Sequence, residues 1–409
     1  MLLSLVLSAL GVLLKLISGL AVNKIVALNI GVEGFGYWGN ILSLMALYSA
    51  FANGGIAQGM IARLAAPDQS DAERSSWLRA GLLYVLVFPV LIVLIHAVLR
   101  QTGLVSGATY LGLLPVYLLA LAFAMSLHVQ SAALAAGKAR LNALILILGG
   151  LMSLTAFWVL IRQDSLSSAI RAQVTAAVCL CLVWLFAARL SGVRYLAVRV
   201  AGDTRAAVRA LAPYVGIAIA PALVGTASVI LIRQLIIADQ GVAAGGLWQG
   251  LFRISDAVMA MAQAAVGFVM MPAVFRAERP RDALLAYLPK YLLALAGAAV
   301  LGGVVLHFFS AQIVVLLYSD AFSPLAGLLW VQFVGDVFKI AAMPLVMYFI
   351  YRRSLACSWG LEVVFASSFV LFVWLLVSPY AVAGAATAYV MANAVLLAAA
   401  SLMFMKERA

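Results

Sequence analysis

Residues 78–99 read LRAGLLYVLVFPVLIVLIHAVL, and this stretch decides the fold class. Beyond Arg79 at its start it carries no full charge. As a helix it would be about 33 Å long, enough to cross a hydrocarbon core of about 30 Å. It is apolar all round, with neither the 3.6-residue period of a surface helix nor the period of two of a strand. Inside lipid every backbone group must be satisfied within its own segment or in a closed barrel, and continuous apolar runs exclude the barrel. Residues 141–161 repeat the pattern. The whole chain agrees: 66% of its 409 residues are hydrophobic, 10% are charged, and the mean hydropathy is +1.14.

Working outward, breaks at Gly, Pro and charge clusters divide the chain into twelve spans. They run 3–29, 34–63, 78–99, 109–136, 141–161, 169–190, 209–238, 246–275, 284–307, 323–351, 355–378 and 382–405. The start, MLLSLVLSALGVLL, has no basic n-region and no small-residue cleavage site, and reads as the first span. Cys179, Cys181 and Cys357 lie in apolar stretches and read as small buried hydrophobes rather than bridges. His96, His128 and His307 are isolated, which points to structural roles and away from a metal. Nothing in the sequence calls for a cofactor.

Orientation follows from the basic residues of the connections. With both termini in the cytoplasm, 18 Lys and Arg flank the inner connections. They are Arg63, Arg74, Arg79, Lys138, Arg140, Arg189, Arg194, Arg199, Arg205, Arg209, Arg276, Arg279, Arg281, Lys290, Arg352, Arg353, Lys406 and Arg408. The outer connections hold Arg100 and Arg162. This asymmetry accounts for most of the net charge of +12 without nucleic acid. The longest basic connection, 191–208, separates an N-terminal six-helix lobe (1–190) from a C-terminal one (209–409). The halves echo each other. Lys24 precedes Gly36 and Trp38, and Arg233 precedes Gly246 and Trp248, with one inserted residue. Six spans apart, such repeats share an orientation and place a substrate site between them. The expected fold is therefore an all-α polytopic membrane protein, twelve helices in two pseudo-symmetric lobes around a central cationic cavity.

Six basic residues remain inside spans: Lys15, Lys24, Arg171, Arg233, Arg253 and Lys339. Arg171 is near a span end and snorkels to the headgroups. A charge at the bilayer centre costs at least about 2.5–3.5 kcal/mol, so the other five should face a bundle interior or a wet cavity. The interior acids are Asp256, Asp336 and Glu362. Arg253 and Asp256, and again Asp336 and Lys339, are three apart and share a helix face. Each acid either neutralises its base or holds it in position, with proton coupling as a further role for all three acids. Lys15 and Lys24 are about 180° apart on a straight helix, so span one bends near Gly19 or one lysine alone faces the cavity. A basic column from the midplane outward would focus a field suited to phosphate. Gln249 and Gln332, among other amides within spans, would bond neighbouring helices or read sugar hydroxyls.

At these residues the chain resembles the Wzx-type polysaccharide flippases of the multidrug/oligosaccharidyl-lipid/polysaccharide (MOP) exporter superfamily, its O-antigen and enterobacterial-common-antigen members above all. The matching stretches are K-x-x-x-G-L-x-V-x-K at Lys15–Lys24, L-W-Q-G-x-x-x-I-S-D at Leu247–Asp256, Q-x-V-G-D-V-x-K at Gln332–Lys339 and G-A-A-x-A-Y at Gly384–Tyr389. The resemblance implies that an undecaprenyl-diphosphate-linked oligosaccharide is carried from the cytoplasmic to the periplasmic leaflet of a bacterial inner membrane. It also implies a proton or other ion as coupling partner, surrounding membrane lipids, and a periplasmic-side polysaccharide polymerase as the next partner. By carry-over Lys15, Lys24, Arg233, Asp256, Asp336 and Lys339 fall on the family's positions. Arg253 departs from the pattern, where small or polar residues stand.

No Walker A motif is present, so an ion gradient, the membrane potential or downstream consumption must drive such a step. A cation-coupled multidrug exporter of the same superfamily would need deep carboxylates in its first half, and the first six spans hold none. A peptidoglycan-precursor lipid flippase shares the diphosphate chemistry and stays open. A glycosyltransferase or assembly scaffold fits poorly, since no large extramembrane loop with paired acids is present.

Overall fold

A computed structural model describes residues 2–66, 69–105, 107–163, 165–196, 202–352 and 354–407. Arg199, Arg353 and Arg408 of the basic connections, and residues 197–201 of the 191–208 segment, lie outside the described residues. Those described form helices and turns, with no strand among them. The elements are α1 (Leu2–Phe51), α2 (Ala57–Leu64), α3 (Asp71–Thr102), α4 (Leu113–Ala135), α5 (Ala139–Leu160), α6 (Leu166–Leu190), α7 (Thr204–Ala265), α8 (Met271–Phe275), α9 (Pro280–Leu317), α10 (Leu329–Tyr351) and α11 (Leu355–Lys406). Among the described residues nine helices are long and apolar enough to cross a membrane. Three of them are far too long for one crossing: α1, α7 and α11 have 50, 62 and 52 residues.

Each of the three breaks at one residue whose dihedrals leave the helical region. These are Gly31 (φ 65°, ψ −172°), Gly241 (φ 85°, ψ 171°) and Ala381 (φ 50°, ψ −134°). At Gly241 the chain doubles back, because Gly245 packs on Ile237 and on Arg233 Cγ. At Ala381 Gly384 comes up against the Leu376 carbonyl. Divided at these breaks, the nine helices make the twelve spans that hydropathy predicts. Glycine supplies the positive φ at two of the breaks without a Cβ penalty.

Local chemistry moves some boundaries. Helix α3 begins at Asp71, seven residues before the apolar run, because Ser70 and Glu73 form a reciprocal capping box. The second span is not continuous. Asn53-Gly54-Gly55 makes a turn with φ of 64° and 69° at its glycines, and α2 follows as a separate helix. The eighth span is interrupted by one π-helical turn, Val266–Met270. The ninth extends to Leu317, since residues 308–317 stay mostly apolar past His307.

The chain divides into two compact units, residues Met1–Ile30 with Asn40–Thr226, and Gly31–Gly39 with Ala227–Ala409. In the first, Ile56, Met60, Leu78, Val129, Ile145, Trp184 and Leu211 form the core. Its buried histidines pin helices to neighbouring segments. His96 bonds Tyr48 Oη at 2.7 Å and the Leu111 carbonyl at 3.0 Å, and His128 bonds the Tyr195 carbonyl at 2.8 Å. Gln130 donates to Asn142 at 2.6 Å and ties α4 to α5.

In the second unit, residues 32–39 lie against 242–250 at near-backbone contact. A Cβ on Gly246 would strike the Val32 carbonyl, and one on Gly36 the Val242 carbonyl. Such small-residue contacts are how helices associate in lipid, where apolar burial gives no drive. The Gly246→Ala variant is therefore expected to lose about 1–3 kcal/mol by overpacking. Purified protein should unfold at a clearly lower temperature. Gly297→Ala, at a helical site with no atom within 4 Å of the added Cβ, should unfold no earlier than wild type.

Candidate functional site

The reversal at Gly241 brings the first half of α7 against its second half, and so carries Arg233 onto Trp248 and Gln249. The Arg233 guanidinium lies 5.2 Å from the centre of the Trp248 ring, and its Nη2 donates to Gln249 Oε1. Arg233 is 1% exposed. Gly39 makes room for the amide, since a Cβ there would meet the Gln249 side chain at 2.7 Å. A buried guanidinium needs such compensation, and the ring face and the amide oxygen both supply negative potential. Of the two amides that the sequence singles out, Gln249 thus serves a charge directly.

One turn further along α7, Arg253 Nη1 donates to Asp256 Oδ2 at 3.0 Å. This pair is half-exposed, at 27% and 42%. Asp256 also lies in the electrostatic range of Arg233 and Lys339. The i,i+3 pairing expected on α7 therefore forms.

The corresponding pairing on α10 does not. Asp336 accepts from Ser255 Oγ and from Tyr389 Oη, each at 3.0 Å. Gln332 Nε2 donates to Ser255 at 2.8 Å, so the second singled-out amide completes a network spanning α7, α10 and α11. All four residues are at most 3% exposed. Among the described residues Lys339 makes no ion pair. Its ammonium instead faces the rings of Phe365, at 4.8 Å, and Tyr389, at 5.7 Å. Hydroxyls have displaced the lysine from the carboxylate, and aromatic faces have taken up the ammonium. Glu362, half-buried on α11, lies within electrostatic range of Lys339.

Arg233, Gln249, Arg253, Asp256, Gln332, Asp336, Lys339 and Glu362 thus all fall in the second unit. Lys15 and Lys24 belong to the first. Lys15 is exposed and Lys24 half-buried. Helix α1 keeps helical dihedrals through Gly19 and breaks at Gly31, beyond both lysines, so of the two alternatives the bend near Gly19 does not form and the lysines stay on opposite faces. Among the described residues no group of His, Cys, Asp and Glu could hold a metal ion.

Three residues of the site escape reasoning from charge alone: Ser255, Phe365 and Tyr389. Ser255 and Tyr389 stand in the quoted motifs, and Gly335 beside Asp336 explains one of them. A Cβ at 335 would lie 2.5 Å from Tyr389 Cδ1, so the glycine is the seat of that ring.

Comparison with known proteins bears on the fold. No protein-family model matches the chain. The lipid III flippase of Escherichia coli K12 is 27% identical over 394 residues, 93% of this chain and 92% of the relative, and that of Shigella flexneri gives the same figures. Among solved structures, the inward-facing conformation of a multidrug resistance MATE family transporter of the MOP superfamily superposes with a TM-score of 0.75. Its identity is 15%, over 96% of this chain and 94% of that one. The lipid II flippase MurJ in an inward closed conformation gives 0.69 at 11% identity, over 99% and 88%. These relatives are flippases and transporters, not enzymes. The chain is a multi-pass membrane protein with the fold of the MOP transporters.

Proposed function

We propose that the chain is a flippase for an undecaprenyl-diphosphate-linked oligosaccharide, an O-antigen or related repeat unit. It moves this lipid from the cytoplasmic to the periplasmic leaflet of a bacterial inner membrane, with both termini cytoplasmic. The single observation that carries the reading is Lys339, an ammonium in a membrane-spanning helix with no carboxylate in ion-pair distance among the described residues. Arg233 and Arg253 act on Asp256 together with Lys339, which adds positive potential to the region even though Arg253 is paired. The flippase relatives support the substrate class.

In this mechanism two six-helix lobes, 1–190 and 209–409 joined by 191–208, alternate between inward-open and outward-open states. The diphosphate is bound by the cationic groups, Lys15 and Lys24 included, while amides such as Gln249 and Gln332 serve the charges and the sugars. Asp256, Asp336 and Glu362 are the coupling candidates for a proton or another ion. A periplasmic-side polysaccharide polymerase consumes the product. The lack of interior acids in the first six spans argues against a cation-exporting role, although the fold is that of multidrug exporters.

Lys24→Ala and Lys339→Ala are each expected to slow flipping at least tenfold in proteoliposomes holding a lipid-linked oligosaccharide. A lost charge-assisted hydrogen bond is worth about 1.5–3 kcal/mol, which corresponds to that factor or more. Wild-type rates in both variants would rule out the cationic site.

A diphosphate diester carries two negative charges. Moving one charge across 100 mV is worth about 2.3 kcal/mol, so an inside-negative potential favours outward transfer. A potential imposed with valinomycin should accelerate flipping if the lipid moves without a counter-charge. If two protons compensate the two charges, a pH gradient should accelerate flipping instead, and Asp256→Asn or Glu362→Gln should abolish that response.

A further inference from the structure

The α10 face that carries Asp336 also carries Lys339, three residues on, and side chains so spaced reach each other readily. Left to themselves, a carboxylate and an ammonium in a low-dielectric interior would pair. They do not, and one side chain stands against both. Tyr389 donates its hydroxyl to Asp336 Oδ1 at 3.0 Å while its ring lies 5.7 Å from Lys339 Nζ. Ser255 takes the other carboxylate oxygen at 3.0 Å, and Gln332 backs Ser255 at 2.8 Å. Phe365 forms the second wall around the ammonium at 4.8 Å. The ring reaches this place because Gly335 has no Cβ, and it is braced by Phe369 at 5.5 Å. Tyr389 is 1% exposed, so its hydroxyl has no bulk water as an alternative partner.

We infer that Tyr389 is a positioning residue for anion binding: it keeps Asp336 away from Lys339, so that the lysine charge stays available to the phosphate of the substrate. The inference rests on the flippase reading, since it presumes an anionic ligand for Lys339. A hydroxyl bond neutralises none of the lysine's charge, whereas an ion pair would neutralise nearly all of it. Aromatic faces attract the ammonium weakly, by about 0.5–2 kcal/mol, and release it to a phosphate more easily than a carboxylate would.

Full-length protein in lipid nanodiscs, titrated calorimetrically with farnesyl diphosphate, gives the test. Tyr389→Phe keeps the ring and removes the hydroxyl. It should weaken binding at least tenfold, because Asp336, having lost a partner, captures Lys339. Asp336→Asn alone should bind more tightly than Tyr389→Phe by a factor of about three or more, since position 336 then holds no carboxylate to pair with Lys339. The double variant Tyr389→Phe/Asp336→Asn should recover to the level of Asp336→Asn, well above that of Tyr389→Phe alone. That recovery is what a purely structural tyrosine would not produce, and the thermal stability of each variant shows whether the fold is intact.

Wild-type binding in Tyr389→Phe overturns the inference, and so does a double variant as weak as the single tyrosine variant. Lys339→Ala separates the two levels. If it binds as wild type does, or if wild type does not bind at all, the flippase reading fails and the inference with it. If Lys339→Ala loses binding while Tyr389→Phe does not, the inference fails by itself.

Discussion

Where a Cβ on residue 246 would stand, the Val32 carbonyl oxygen already lies, and the geometry of the site depends on that contact. Residues 32–39 can approach 242–250 so closely only because Gly36, Gly39 and Gly246 lack side chains. In lipid the approach is held by van der Waals contact, with no apolar burial to drive it, so a small loss of fit is not made up elsewhere. The approach sets Gly39 on Gln249, Gln249 receives Arg233, and Arg233 is laid on Trp248. Phe35, in the same short segment, packs edge-on against Tyr318 at 5.6 Å and Phe322 at 5.4 Å. Tyr318 in turn donates to the Gly250 carbonyl at 2.8 Å.

Within this unit the chain settles each intramembrane charge differently. Arg233 has a ring and an amide, and Arg253 has the carboxylate of Asp256. Asp336 has two hydroxyls, and Lys339 has two aromatic faces. An ion pair satisfies both partners and leaves little free charge. Hydroxyls and rings satisfy a charge without cancelling it. A charge held in the second way stays available to an anion, as the proposed function requires, and Lys339 is so held. The half-exposed Arg253–Asp256 pair is the more ordinary solution.

The fold was legible in the sequence to a large degree, for a physical reason. A bilayer leaves few options for the backbone, so the length and apolarity of stretches such as 78–99 settle helix and span count together. The span limits also bracketed two of the breaks, since Gly31 falls between 29 and 34 and Gly241 between 238 and 246. Boundaries that depend on local chemistry were harder. The capping box at Ser70 lies outside the apolar run that marks α3, and the π-turn at 266–270 leaves no trace in hydropathy.

The sequence by itself determined which charges lie in the membrane, because hydropathy and chain order place Arg233, Arg253, Asp256, Asp336, Lys339 and Glu362 inside spans wherever the helices pack. It could not determine which of them pair. Arg253–Asp256 and Asp336–Lys339 have the same spacing and opposite outcomes. The difference comes from Ser255 and Tyr389, which reach Asp336 from two other helices, residues 81 and 53 positions away along the chain. Spacing along one helix reports what can meet on that helix. Only the tertiary structure decides what arrives from the others, and in a dry interior the first good hydrogen-bond donor to arrive takes the carboxylate.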